Sequence, residues 1–284
     1  MKDIIPTTFN FNDKSRNIDI IVRNMLNKTN SMFEYKNLPK TIPKYILELY
    51  LQTNGHCIFY IHDNTPYIFI GSLGGEPDEY YRPTIYTISN TYLNIAKNLK
   101  INKDCVIIKN DTMIQGIKPI LYKYATLIVE NEISLNIATI NSRITSLISS
   151  DDARTTESAK LYLKNISDGK LGIIGESPLL NGIKTQPYAT NGNSNIMINL
   201  IEYEQYLKGS LYNELGLKAA FNMKRESLNT SETDINNSIL LPLIDDMYDC
   251  RIEAIEQINK KYNYNIEVHK NSSWEALENV NSNI

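Results

Sequence analysis

An α+β fold, mainly α, is what this sequence predicts: long amphipathic helices with a small β-rich block set among them. Three observations carry that prediction. Apolar residues recur at spacings of three and four in several long segments. Short runs rich in β-branched and aromatic residues crowd between residues 55 and 111. Gly and Pro are scarce, at 12 and 10 in 284 residues, and several of them mark the ends of these segments.

Each element follows in order. Residues 1–17 read as a polar arm. Ile18, Ile21, Val22, Met25 and Phe33 lie near one face of a helical pattern in "IDIIVRNMLNKTNSMFEY". The prolines of "NLPKTIP" stop it, because each forces the preceding residue away from the helical region. A shorter helix, "KYILELYLQTNG", ends at Asn54–Gly55. "GHCIFYI" and "PYIFIG" flank the turn "HDNTP" and form a hairpin. "PTIYTIS" and "DCVIIKND" are further strands, and "NTYLNIAKNLKI" between them is helical or extended. So many short strands predict a small barrel or curled sheet.

A long helix begins at Pro119, a residue suited to a first turn. Its stripe is Ile120, Tyr124, Leu127, Ile128, Leu135 and Ala138, running to about Leu147. "SSDDARTTESAKLYLKNISDGK" is a polar connector with a short helix, and "LGIIGESPLLNG" a loop or strand. The next long helix, "NIMINLIEYEQYLKGSLYNELGL", carries Leu200, Tyr203, Leu207, Leu211 and Leu215. That narrow stripe suits packing on neighbouring helices. Gly209 invites a bend and Gly216 closes the end. "PLIDDMYDCRIEAIEQINKKY" is a fourth helix, with Ile244, Tyr248, Ile252, Ile255 and Ile258 in line. "NYNIEVH" returns to a strand, and the polar tail docks by Trp274 and Leu277.

Composition narrows the function classes. Hydrophobic residues make up 42% and charged residues 21%, which excludes wholesale disorder. With 29 Lys+Arg against 32 Asp+Glu, the formal charge of −3 disfavours a tight nucleic-acid binder. Three cysteines without CxxC spacing predict buried, reduced thiols. The start lacks the apolar region of a signal peptide, and no run approaches the roughly 18 apolar residues of a membrane span.

Little in the sequence reads as catalysis. "GSLGGEPDE" and "GKLGIIGES" lack the G-K-[ST] ending of a phosphate-cradling loop and read as turns. His56 and Cys57 would point to opposite faces of a strand, so with His62 and Cys105 they make a poor metal site. Asp245, Asp246 and Asp249 could share a helix face and hold a divalent cation, yet acids also favour a helix's first turn. No cofactor or resident metal is expected.

The stretch "FNMKRESLNTSETDINNS" stands apart. It is too long for an ordinary helix–helix connector and too polar to be buried, and such connections are commonly functional or disordered.

This stretch and its surroundings carry a resemblance. "MFEYKNLPKTIP", "NELGLKAAFNMKRESLNTSETDINNS" and "CRIEAIEQINKKYNYNIEV" resemble the portal protein, also called the upper collar or head–tail connector, of small short-tailed phages of the picovirus type. The shared pattern is an aromatic–acid–aromatic group before N-L-P-x-T-I, then a helix ending in L-G-[IL]-K. A loop with two adjacent basic residues and an acid follows, and then a helix ending in [IL]-N-x-x-Y before a strand, with Gln257 where the family's pattern has Lys. The order of elements between these blocks also fits.

The resemblance implies a dodecameric ring at one capsid vertex. Long tilted helices would line a channel for double-stranded DNA, with a small SH3-like β subdomain outside. It implies as partners the major capsid protein, the lower collar and tail, and a separate packaging ATPase, with no membrane. The chain would reside in the virion, at the head–tail junction, and in the host cytoplasm during assembly. The implied organisation is an arm over 1–17, a wing with the β subdomain over 18–118, long channel or stem helices over 119–221, a channel loop over 222–241, and a return helix, strand and tail over 242–284. Lys224 and Arg225 become the loop's basic pair and Glu226 its acid, with Lys208 and Lys218 as further DNA-channel candidates. A mostly acidic wall with a few basic rings would keep a sliding duplex centred at low affinity. The family's arm can be strongly basic; here Lys2, Lys14 and Arg16 are offset by Asp3 and Asp13. The alternatives are another virion collar protein that never touches DNA, and a soluble enzyme built on the Asp245–Asp249 cluster.

Overall fold

The computed structural model describes residues 10–142, 146–149, 184–187, 193–216 and 242–271, with isolated positions 157, 160, 161, 164 and 165. The chain forms two compact units. The larger comprises 15–125 and 208–284; the smaller comprises 1–14 and 126–207.

In the larger unit, helix α1 (Lys14–Thr29) presents Val22, Met25 and Leu26 to the interior. It stops four residues before Phe33, where the helical pattern was expected to continue. Instead Phe33–Lys36 is strand β1, antiparallel to β10 (Glu267–Lys270), with Phe33 opposite Lys270. The partner that converts this segment to strand lies near the other end of the sequence. Helix α2 (Lys44–Asn54) ends where expected, on Gly55 at φ 82, whose N–H donates to the Leu51 carbonyl at 2.8 Å.

The β block holds more strands than its sequence suggests. β2 (His56–His62) and β3 (Thr65–Phe69) form the expected hairpin, turning through Asp63 and Asn64, both at positive φ. The first glycine-rich segment contains β4 (Gly71–Gly74), and the ambiguous segment is extended as β6 (Ile95–Lys100). With β5 (Ile85–Asn90) and β7 (Val106–Lys109), two antiparallel sheets result, ordered β3-β2-β7 and β4-β5-β6. They do not close into a barrel. Ile58, Phe69 and Ile107 from one sheet and Tyr86, Ile88, Ile95 and Leu99 from the other form a single buried cluster. Burial of those inner faces is what holds the sheets together.

Helix α3 (Lys118–Asn141) begins in the larger unit and runs into the smaller one. It ends before Leu147, which lies in strand β8 (Ser146–Ser149), paired antiparallel with β9 (Lys184–Pro187). Helix α4 (Asn193–Glu214) closes on Gly216 at φ 76, as expected. Helix α5 (Pro242–Tyr262) matches its expected span, with Ile244, Ile255 and Ile258 buried. The tail with Trp274 and Leu277, and "GKLGIIGES", lie outside the described residues.

Candidate functional site

The predicted channel loop is framed by α4 and α5, so the physical question is how those helices are held and what they expose. The base of α5 is fixed by an ion pair that sequence reading does not find. Arg251 donates from Nε to Glu48 Oε1 and from Nη2 to Glu48 Oε2, both at 2.9 Å, and both side chains are fully enclosed. Its remaining N–H groups reach the Asn110 carbonyl at 3.1 Å, the Met247 carbonyl at 2.7 Å and Asn110 Oδ1 at 3.1 Å. All five guanidinium donors are therefore used. The guanidinium carbon lies 4.2 Å from the Phe33 ring centroid, a stacked cation–π contact.

Glu48 accepts two further hydrogen bonds, from the Tyr35 hydroxyl at 2.5 Å and from Gln52 Nε2 at 3.1 Å. Burial pushes its carboxyl up, but the Arg251 charge and these hydrogen bonds outweigh burial and hold it below the usual carboxylate range. Gln52 continues the network to the Thr29 hydroxyl at 2.6 Å. One polar cluster thus joins α1, α2, β1, α5 and the segment after β7.

The acids near the start of α5 have structural partners. Asp246 accepts from the Thr112 N–H at 2.9 Å and from the Thr112 hydroxyl, while Asp245 pairs with Lys270. These contacts tie α5 to the segment after β7 and to β10. Among the described residues no group of three or more His, Cys, Asp or Glu side chains is placed to hold a metal ion. His56 meets the Tyr86 hydroxyl at 2.9 Å, and Cys57 is buried. Burial raises the thiol pKa of Cys57, Cys105 and Cys250, Cys105 to about 11, so none is an activated nucleophile.

Helix α4 shows the opposite character to α5. Leu207, Leu211 and Leu215 of its stripe are buried. Yet Ile196, Ile198, Ile201, Tyr203 and Tyr206 are each between 42% and 52% exposed. At about 100° per residue, Ile198, Ile201 and Tyr206 point well off the Leu200–Leu207–Leu211 stripe. Tyr203 and Tyr206 stack with centroids 6.4 Å apart. In the smaller unit, α3 adds exposed Leu127 and Ile137, and Asn131 Nδ2 donates to the Leu200 carbonyl at 2.9 Å. In the larger unit, Tyr124 and Lys123 both bond Glu214, at 2.7 and 2.9 Å. A helix with apolar side chains on several sides requires cover on several sides, and the described residues supply it on one.

Of the predicted DNA-channel residues, Lys208 is exposed on α4. Lys218, Lys224, Arg225 and Glu226 lie outside the described residues. Sequence reading followed the leucine stripe of α4 and passed over Ile198, Ile201 and Tyr206, whose off-stripe positions were the available signal. No helix among the described residues is long and apolar enough to cross a membrane.

Comparison with known proteins gives one family. Residues 8–274 match the family described as Phage Connector (GP10). Among solved structures, the chain is similar to one in the portal and tail of native bacteriophage P68, at 18% identity over 89% of this chain and 85% of that one, with a TM-score of 0.49. It is also similar to an HK97 family phage portal protein from Corynebacterium diphtheriae, at 12% identity over 89% and 91%, with a TM-score of 0.43.

Proposed function

The chain belongs to the phage connector family, and from that premise we propose how it works: copies close into a ring, a dodecamer, whose bore conducts double-stranded DNA. The protein is a phage portal, or head–tail connector, a structural component of the virion.

The observation that carries the ring is the apolar surface of α4. A heterologous interface joins two different faces of one subunit and repeats until it closes. Ile198, Ile201 and Tyr206, lying off the stripe that packs inward, supply apolar surface on more than one side. The 222–241 segment between α4 and α5 is the channel loop in this reading. Lys224 and Arg225 contact phosphates without reading sequence, Glu226 limits their grip, and Lys208 and Lys218 add further basic rings.

The β subdomain belongs to a wing outside the bore, 119–221 to the stem, and 242–284 to the return helix and tail. The ring sits at the capsid vertex, bound to the major capsid protein above and to the lower collar and tail below. It serves a separate packaging ATPase during assembly in the host cytoplasm, and carries DNA in both packaging and ejection. The chain's role is structural rather than enzymatic, and no cofactor enters it.

Negative-stain imaging of the purified full chain tests the proposal. Rings with a central hole are expected, and particles no larger than one or two subunits would overturn it. Within assembled particles, Lys224→Ala with Arg225→Ala should let heads fill but lose genome. Heads that keep their DNA as well as wild type would remove the loop from the account.

A further inference from the structure

A cleft of about 350 Å³ opens in the larger unit between the loop joining β4 to β5, strand β7 and α5. That volume falls within the roughly 300–1,000 Å³ of ligand pockets. Ile107 and Ala254, both buried, and the half-buried Ile101 give it an apolar lining. Four charged side chains stand on its walls. Asp78 and Arg82 satisfy each other at 2.8 Å, and Glu253 accepts from Gln257 Nε2 at 3.3 Å. Lys109 is half-buried and has no ion-pair partner among the described residues. Drawing a cation out of water without a counter-charge is unfavourable, so this wall favours an anionic group.

One end of the cleft is a strained turn. Ile114 lies at φ 58, a left-handed conformation that β-branched side chains rarely adopt. Its own N–H donates to the Asp111 carbonyl at 3.0 Å, and the Gln115 N–H donates to Asp111 Oδ1 at 2.9 Å, which holds the turn in that shape. Between the lining residues Thr112 and Ile114, Met113 is left 75% exposed. Strain maintained by its surroundings clusters at binding sites, and an exposed thioether beside an apolar cleft offers a contact for an aromatic ring. A merely solvent-filled cleft would call for neither the strained Ile114 nor the unpaired Lys109.

The chain itself supplies the occupant. Asn271, the last of the described residues, is anchored through its N–H to the Met32 carbonyl at 2.8 Å and through Nδ2 to the Ser31 carbonyl at 2.9 Å. Beside it Lys270 pairs with Asp245 of α5, while Thr112 at the end of the cleft bonds the next residue, Asp246. Anchor and cleft therefore flank the same turn of α5, about one helix diameter of 10–12 Å apart. Leu277 lies six residues beyond Asn271, and six extended residues span roughly 20 Å. Residues 272–284 carry Trp274 and Leu277 with the acids Glu275 and Glu278, and no Lys or Arg. We propose that this segment docks in the cleft of its own subunit. Trp274 covers the Thr112–Met113 end, Leu277 enters the Ile107–Ala254 lining, and the two acids answer Lys109.

Trp274 is the sole tryptophan, so the emission of the full chain reads this one residue. It should be blue-shifted, and less quenched by acrylamide, than in a synthetic peptide of residues 272–284. Lys109→Glu should raise the undocked fraction about tenfold and move both signals toward those of the peptide. Adding Glu275→Lys and Glu278→Lys should restore them, which a general loss of packing would not allow. Independently of those variants, a benzoylphenylalanine placed at Leu277 should cross-link on illumination to β7 or α5 residues that line the cleft, mapped by mass spectrometry. The cross-linked product should keep single-subunit mass on a denaturing gel. Emission matching the free peptide, no restoration by the charge swap, or cross-links mapping elsewhere would each overturn the proposal. So would a product of two-subunit mass, which makes the occupant a second copy. Rings seen by imaging are indifferent to all of these results, so this reading and the proposed function fail separately.

Discussion

Arg251 and Glu48 stand 203 residues apart in sequence and meet through two 2.9 Å hydrogen bonds, with no side-chain exposure on either. A buried pair with every donor used is costly to break, since the remaining partner keeps its charge without water. Arg251→Ala or Glu48→Ala should therefore lose about 3–5 kcal/mol. The double change Arg251→Met with Glu48→Leu should recover much of that loss. Denaturant unfolding of the three variants decides, and a double variant weaker than either single would contradict the assignment.

The same pair sets an acid limit. The Glu48 carboxyl is depressed in the fold, so its contribution is complete above the unfolded carboxylate pKa of about 4.3 and is lost as pH falls through the lower folded value. Glu48→Gln should flatten the loss of stability with acid over that window while lowering stability at neutral pH. Melting temperatures taken from pH 3 to pH 7 would show it.

Asp246→Asn addresses the acid cluster. The change keeps an acceptor but removes the charge that holds both the Thr112 N–H and hydroxyl. A loss of about 1 kcal/mol is expected. Thr112→Val should give a similar loss, and the two together less than the sum, because they remove one shared interaction. Strict additivity would separate them.

Ile201→Glu with Tyr206→Glu tests the open faces of α4. Both side chains are about half exposed, so the folded subunit should change by only about 0.5 kcal/mol for each. Assembly should instead be lost, seen as a fall to single-subunit mass in light scattering. Intact assemblies would show that other surfaces hold the copies together.

Gly55→Ala should cost roughly 1–3 kcal/mol. Gly55 sits at φ 82, and an added Cβ would come within 2.4 Å of the Ile114 carbonyl oxygen. Denaturant unfolding measures the effect, and a neutral result would mean that the 111–116 segment yields.

Local signals in the sequence located most of the described elements. Gly55 and Gly216 end their helices, α5 spans its expected residues, and the hairpin turns at Asp63–Asn64. What was not legible depends on distant partners. Phe33–Lys36 carries a helical pattern and becomes strand only because Glu267–Lys270 pairs with it. Short alternating runs cannot tell a barrel from two stacked sheets, because both need the same inward faces. Nothing near Glu48 in the sequence announces Arg251. For the site itself, the basic pair at Lys224 and Arg225 rests on the resemblance and lies outside the described residues, whereas the off-stripe residues of α4 were visible in periodicity and missed. A stripe search scores what one neighbour covers and is blind to a second.

The antiparallel pairing of β1 with β10 has a consequence for biogenesis. One half of that two-stranded ribbon leaves the ribosome early, while the other emerges more than two hundred residues later. The larger unit is discontinuous in the same sense, with its first and last stretches separated by the residues of the smaller. A nascent chain therefore cannot finish this unit until translation has passed Lys270. Products truncated before that point lack one strand of the ribbon and leave β1 without its partner.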